Sequence, residues 1–329
     1  MSKEPHFVVI GGGTGSFTLL SGLKKHTANI TSLVNMSDDG GSTGVLRDEL
    51  GVLPAGDVRQ CLVALSDSEK LRDLFTYRFD EGRLKGQSFG NLFLAALEKM
   101  TGSFVEGVEV ASEVLNITGR VEPINLESVT LCMNDGGPEI IKSEFEIGHA
   151  KFTNPRPKLW LEPEATLNPE ALKAIQNADL IVVAPGNIYG SLAPALIVPG
   201  LSDAIIASAA KKAYVCNLAT KPGQTDGFSV GDFVTEIERF IGGECLDYVL
   251  YNTAQPDHGV LQRYSKAGEL PVRLDATGLR QNITSIGADL IAHDVYEADV
   301  STDAIADKRS FIRHDPDKIA VELMKLVSA

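Results

Sequence analysis

A chain of 329 residues with 43% hydrophobic and 22% charged side chains can bury a substantial core and shows no sign of global disorder. Its 30 Lys and Arg stand against 44 Asp and Glu, and a net charge of −14 repels a phosphate backbone, so nucleic acid is not an expected partner. No apolar run reaches membrane-spanning length and the first residues lack a leader-like stretch, so a cytoplasmic protein without membrane association is expected.

The first unit is a strand, HFVVI, a glycine loop, GGGTGS at residues 11–16, and a helix, FTLLSGLKK. Glycines at a strand-to-helix turn let the backbone approach phosphate oxygens, and the helix N-terminus adds partial positive charge. Gly11, Gly12, Gly13 and Thr14 are therefore candidate ligand contacts. A dinucleotide fingerprint would have glycine where Ser16 stands, and no lone ribose-binding carboxylate stands out on the second strand, so no redox cofactor is expected.

The second strand-like run, ITSLVNM, ends at SDDGGSTG, residues 37–44. The adjacent carboxylates of Asp38 and Asp39 could hold Mg²⁺, bind ligand hydroxyls or supply a base. As turn or helix caps they would need no ligand. After LPAGD, the stretch VRQCLVALSDSEKLRDLFTYRF has helical spacing, with Asp57 placed to cap its start. In GQSFGNLFLAALEKM, Ser88, Gly90 and Asn91 stand at the entry to another helix, where free amides point ahead.

Residues 105–160 carry short β-type runs separated by Gly, Pro and Asn, which predict an antiparallel or mixed insertion over about 105–165. ADLIVVAPG then has the near-continuous apolar run of a strand buried on both faces. It ends in PGNIYGSLAPALIVPG, a third glycine loop in which Gly186 and Asn187 can turn sharply and offer amide donors. KAYVCNLAT and DYVLYNT supply further strands, with the helix GDFVTEIERFIG between them.

This alternation, without repeats or a long linker, predicts one α/β domain over 1–329: a Rossmann-like three-layer fold with a mostly parallel sheet and a mixed β-rich insertion. The three loops would gather on the carboxyl edge of the sheet, where open α/β proteins bind ligands. Cys61, Cys132, Cys216 and Cys245 have neither zinc nor redox spacing and are expected to be structural thiols.

Taken together, VVIGGGTGS, NMSDDGGSTGVLRDELGVLPAGDVRQCLVALS, SFGNLFLAALE, APGNIYGSLAPALIVPGL, PGQTDGFSVGDFV and FIRHDP resemble the YvcK/CofD-like family over nearly the whole chain. The resemblance implies one of two activities. One branch, the 2-phospho-L-lactate transferases, uses Mg²⁺ to move a phosphate-linked group from a nucleotide donor to a hydroxyl acceptor. The other, the gluconeogenesis factors (YvcK or GlmR), binds UDP-sugars such as UDP-N-acetylglucosamine and supports cell-wall synthesis and cell shape during gluconeogenic growth.

SDDGGSTG-x-LR, PAGD-x-R and the RHDP tail resemble the second branch. A non-catalytic binding regulator is thus the leading expectation, with a protein partner in amino-sugar or cell-wall metabolism and homo-oligomerisation. In that branch Tyr264 and Arg313 match positions associated with UDP-sugar binding; the aromatic face suits stacking and the guanidinium suits a diphosphate. From the transferase branch, Asn35, Asp38 and Asp39 correspond to the strand-end Asn and Asp pair near acceptor and metal, and Gly186 and Asn187 to the loop that meets the nucleotide. Asn187-Ile188-Tyr189, where the regulators carry a Ser-Leu-Tyr type sequence, leans toward the transferase.

Overall fold

The computed structural model describes residues 4–154, 156–275, 278–292 and 312–327. Its strands in chain order are β1 (Phe7–Gly11), β2 (Ile30–Val34), β3 (Arg120–Pro123), β4 (Thr130–Asn134), β5 (Ile141–Lys142), β6 (Lys158–Glu162), β7 (Leu180–Val183), β8 (Lys211–Val215), β9 (Tyr248–Asn252) and β10 (Thr284–Ala288). Seven of them form one sheet in the order β3-β2-β1-β7-β8-β9-β10. Every neighbouring pair in it is parallel.

Successive side chains of a strand point to opposite faces, so an all-parallel sheet needs cover on both. Val8, Ile10, Ile181 and Val183 pack on one face, against the helices Pro169–Gln176 and Val230–Ile241 and the small antiparallel sheet β5-β4-β6. Phe7, Val9, Leu180 and Val182 pack on the other, against the helices Gly13–Leu23, Gly56–Leu65, Phe104–Leu115 and Pro316–Val327. The result is the expected three-layer α/β fold. The chain runs outward from β1 through β2 to β3 and later restarts on the other side of β1, so the switch point lies between β1 and β7.

The β-rich insertion is smaller than expected. Residues 104–115 are a helix: Ser103 caps it by accepting from the Glu106 amide (3.3 Å), Phe104, Val108, Ala111 and Leu115 are buried at helical spacing, and Asn116 closes it at φ 46°. β3 belongs to the parallel sheet through β2. Only β4 to β6 are antiparallel, with the helix Glu144–His149 between β5 and β6.

The stretch beginning at Gly56 is two helices, Gly56–Leu65 and Glu69–Thr76. They part at Ser66, whose buried hydroxyl donates to the Leu115 carbonyl (2.7 Å) in place of continuing the helix. No single helix among the described residues is long and apolar enough to cross a membrane. All four cysteines are free, and all but Cys245 are buried.

Candidate functional site

The loops leaving β1 and β7 head for opposite faces of the sheet and leave a crevice between them. A cavity of about 430 Å³ opens there, lined by Gly12, Gly13 and Thr14 of the first loop and Gly186 and Asn187 of the third. Its size falls in the usual range for small-molecule sites. Tyr264 and Arg313, far away in sequence, line the same cavity. Gly12 caps the helix Gly13–Leu23 without a side chain, so its first amides are not claimed by a cap.

The two loops touch. A Cβ at Gly15 would lie 1.7 Å from the Pro185 carbonyl oxygen, so the first helical turn and the third loop approach at a distance only glycine permits. The third loop is held from the next strand: Asn217, just past β8, donates to the Gly186 carbonyl (2.7 Å) and accepts from the Gly186 amide (3.2 Å), while the Tyr214 hydroxyl donates to the Asn217 oxygen (3.0 Å). The Asn187 side chain accepts from the Tyr189 amide (3.2 Å) and starts the following helical turn. Tyr189 itself is fully buried against Phe152 and Phe240, so it packs and does not line the site.

Tyr264 is 2% exposed, and its hydroxyl accepts from the Ile312 amide at 2.6 Å. It builds the cavity wall and ties the RHDP segment to the helix His258–Ala267, so an open stacking face is not what it offers. Lys221, Glu269 and His314 complete the wall. The buried His314 ring lies 3.1 Å from the Cys216 carbonyl, and burial pushes its pKa down to about 4, so it is neutral at pH 7 and Nε2 donates to that carbonyl. Burial also holds Lys221 below the ordinary lysine value, with Glu144 and Glu269 opposing the shift.

The second loop does not line this cavity. It lies behind the first loop, in a polar layer between Gly12 and the helix Phe89–Thr101. Asp57 is the link. The expected cap at Asp57 is not made: Ala55 is the N-cap, and the Asp57 carboxylate reaches across to accept from the Gly13 amide. A Cβ at Gly12 would lie 2.0 Å from it. Burial, then the charge of Asp38, push the Asp57 carboxyl up to about 7 against the pull of the Gly13 amide and Arg59. Asp38 accepts from the Gly40 amide (3.0 Å), and burial raises its pKa as well.

Asn91 serves this layer from within. It is 2% exposed, accepts from Arg59 Nε (2.8 Å) and donates to the Thr43 hydroxyl (3.4 Å), so it orients the guanidinium that faces both carboxylates. Asn35 accepts from the Ser37 amide (3.1 Å) and hydroxyl (3.0 Å), which shapes the loop.

Asp39 points elsewhere. Its oxygens accept from the Ser143 hydroxyl (3.0 Å) and the amides of Glu144 (3.2 Å) and Phe145 (2.9 Å), so it anchors the start of the insertion helix Glu144–His149. Asp38 therefore feels the charges of both Asp39 and Asp57, while the Asp39 oxygens are engaged by the start of the insertion helix. No three His, Cys, Asp or Glu side chains among the described residues converge as a metal-holding group. Asp39→Ala is expected to lower stability by about 2 kcal/mol, because three donors lose their shared acceptor; urea denaturation measures it, and an unchanged midpoint would contradict the anchoring role.

Asn217, Lys221 and Glu269 are the cavity residues that sequence reasoning passed over, while His314 entered only as part of the RHDP motif. Asn217 had one usable signal, a polar residue just after an apolar strand. The others stand in turns or on short helices with no local mark.

The family model described as 2-phospho-L-lactate transferase CofD matches residues 7–296. The gluconeogenesis factor of Bacillus subtilis is 36% identical over 99% of this chain and 99% of its own length. That of Halalkalibacterium halodurans is 42% identical over 84% of this chain and 87% of its own. A crystal structure of a UPF0052-family protein from Bacillus halodurans superposes with a TM-score of 0.86 at 35% identity, covering 98% of this chain and all of the other. The chain belongs to the CofD family, among relatives named gluconeogenesis factors.

Proposed function

We propose that this protein binds a nucleotide-sugar of the UDP-N-acetylglucosamine type and acts in the cytoplasm as a non-catalytic regulator of carbon flow toward cell-wall synthesis, needed for cell shape under gluconeogenic growth. It would do so through ligand-dependent contact with an enzyme of amino-sugar metabolism. The observation that carries the reading is the convergence of two glycine loops, Tyr264 and Arg313 on one cavity at the switch point. The Gly13 amide is taken by Asp57, but the amides that follow it at the start of the helix Gly13–Leu23 suit a diphosphate, and Arg313 can add a charge-assisted bond. The free thiols fit a reducing compartment.

Calorimetry with UDP-N-acetylglucosamine is expected to give saturable heat, and Arg313→Ala to weaken binding roughly tenfold or more. Neither heat nor a thermal shift at millimolar ligand would remove the proposal.

One observation favours a second reading, a Mg²⁺-dependent transferase moving a phosphate-linked group from a nucleotide donor to a hydroxyl acceptor. Asp57 and Asp38 lie together directly behind the first loop, with Asp57 raised to about 7, where a carboxylate is suited to take a proton. Hard oxygen donors of this kind fit Mg²⁺, which takes one or two carboxylates alongside phosphate oxygens. Turnover of candidate nucleotide donors with Mg²⁺ that is lost in Asp38→Asn would support this reading. Equal inactivity of both proteins would oppose it.

A further inference from the structure

The insertion helix Glu144–His149 is held at both ends, and at its last turn by a residue of the cavity wall. Its first turn rests on Asp39 of the second loop. Its last turn is held by the bend after β8: Lys221 Nζ donates to the Gly148 carbonyl, and the buried Gln224 donates to the carbonyls of Ile147 (2.8 Å) and Ala150 (3.1 Å). The following strand of chain is tied to the same bend, with the Phe152 amide donating to the Gly223 carbonyl (2.8 Å). Lys221 also lines the ligand cavity. One ammonium therefore faces two clients.

Glu144 makes the competition consequential. Its carboxyl feels the charges of Asp38, Asp57 and Asp39, and the Lys221 ammonium opposes them. A phosphate entering the cavity offers Lys221 a stronger acceptor than a carbonyl oxygen, since it adds the attraction of a full opposite charge to the hydrogen bond. Once Lys221 turns to it, the Gly148 carbonyl is left with only the longer bond from the Gln224 side chain (3.4 Å), and Glu144 loses the charge that offsets three carboxylates.

We propose that Lys221 is an anion ligand of the cavity and at the same time the latch of the insertion helix, so that an anionic ligand in the cavity loosens the segment 144–150. The inference rests on the anionic-ligand reading of the cavity and adds a means by which occupancy reaches the protein surface. Phe145 and His149, whose ring centres lie 4.3 Å apart with the planes tilted by 40°, are both exposed and would be the side chains whose presentation changes.

Hydrogen–deuterium exchange on the whole protein tests it with two comparisons. In ligand-free protein, Lys221→Met is expected to speed exchange in 144–150 roughly tenfold or more, the equivalent of one lost charge-assisted hydrogen bond, while Lys221→Arg stays near wild type. Saturating UDP-N-acetylglucosamine is expected to speed the same segment in wild type, slow the first loop, and add nothing in Lys221→Met. Peptides from β1 and β7 serve as the folding control.

Unchanged exchange at 144–150 in ligand-free Lys221→Met overturns the latch, whatever binds the cavity. Slower exchange there on ligand addition overturns the competition. If calorimetry detects no binding, the functional reading fails while the ligand-free comparison still decides the latch.

Discussion

Gly15→Ala is expected to lower folding stability by about 3 kcal/mol and to abolish ligand binding. Helix propensity alone gives the opposite sign: Gly15 stands in the first turn of the helix Gly13–Leu23, and alanine is favoured over glycine in a helix by about 1 kcal/mol. The added methyl would meet the Pro185 carbonyl oxygen, a backbone atom fixed at the end of β7, at 1.7 Å. Either the helix backs off the sheet or the third loop moves away. Both widen the crevice and separate the two sets of amides that face it. A thermal melt and calorimetry on the variant decide the matter, and an unchanged or raised melting temperature would show that the two loops do not need their close approach.

Asp57→Asn should change how stability depends on pH. The folded-state pKa of Asp57, about 7, lies above the ordinary value of 3.8, so between those values the native state binds more protons than the unfolded chain. Stability supplied by the protonated carboxyl is thus present at low pH and lost as pH rises through that window. Glu144, raised to about 8 by burial and by Asp38 and Asp57, adds a loss of the same sign.

The asparagine variant removes one contribution on the order of 4 kcal/mol. Melts across pH 4 to 8 should show a wild type that weakens toward pH 8, and a variant that weakens less and is the more stable of the two above pH 7. A variant with the wild-type slope would mean that Asp57 does not titrate in this window. If the transferase reading holds, the same substitution abolishes turnover while leaving the protein more stable.

Much of the fold was legible because its signals are local. The apolar runs before GGGTGS and PGNIYG, the turns themselves and the helices after them repeat a pattern with a fixed physical cause, and β1 and β7 flank the switch point as that pattern demands. The failures share a cause as well. Residues 104–115 are rich in valine, which suggested strands, but burial at positions 104, 108, 111 and 115 follows a helical period that the cap at Ser103 sets in phase.

Asp57 looked like a cap because an acidic residue after Pro-Ala-Gly fits one. Its true partner, the Gly13 amide, lies more than forty residues earlier and is reachable only after β1 and the helix Gly56–Leu65 have packed. Asp38 and Asp39 are adjacent in sequence, yet the bend of the second loop sends one toward Asp57 and the other toward Ser143. Lys221 gave no signal at all: a lysine before Pro-Gly is ordinary turn chemistry, and its importance comes from facing the cavity and Gly148 together.

The helix Pro316–Val327 packs through Ile319, Ala320 and Leu323 into the same core as Leu19, Leu20 and Leu23 of the helix Gly13–Leu23, and Arg313 and His314 stand just ahead of it in the cavity wall. The first glycine loop to leave the ribosome therefore waits for about three hundred further residues of synthesis until the segment that finishes its pocket appears. A nascent or truncated chain has the phosphate loops but no closed crevice, and it leaves the apolar stripe of its first helix uncovered. Ligand could then stabilise only chains that have been synthesised through this last helix, and incomplete products would be recognisable to chaperones and proteases by that bare stripe.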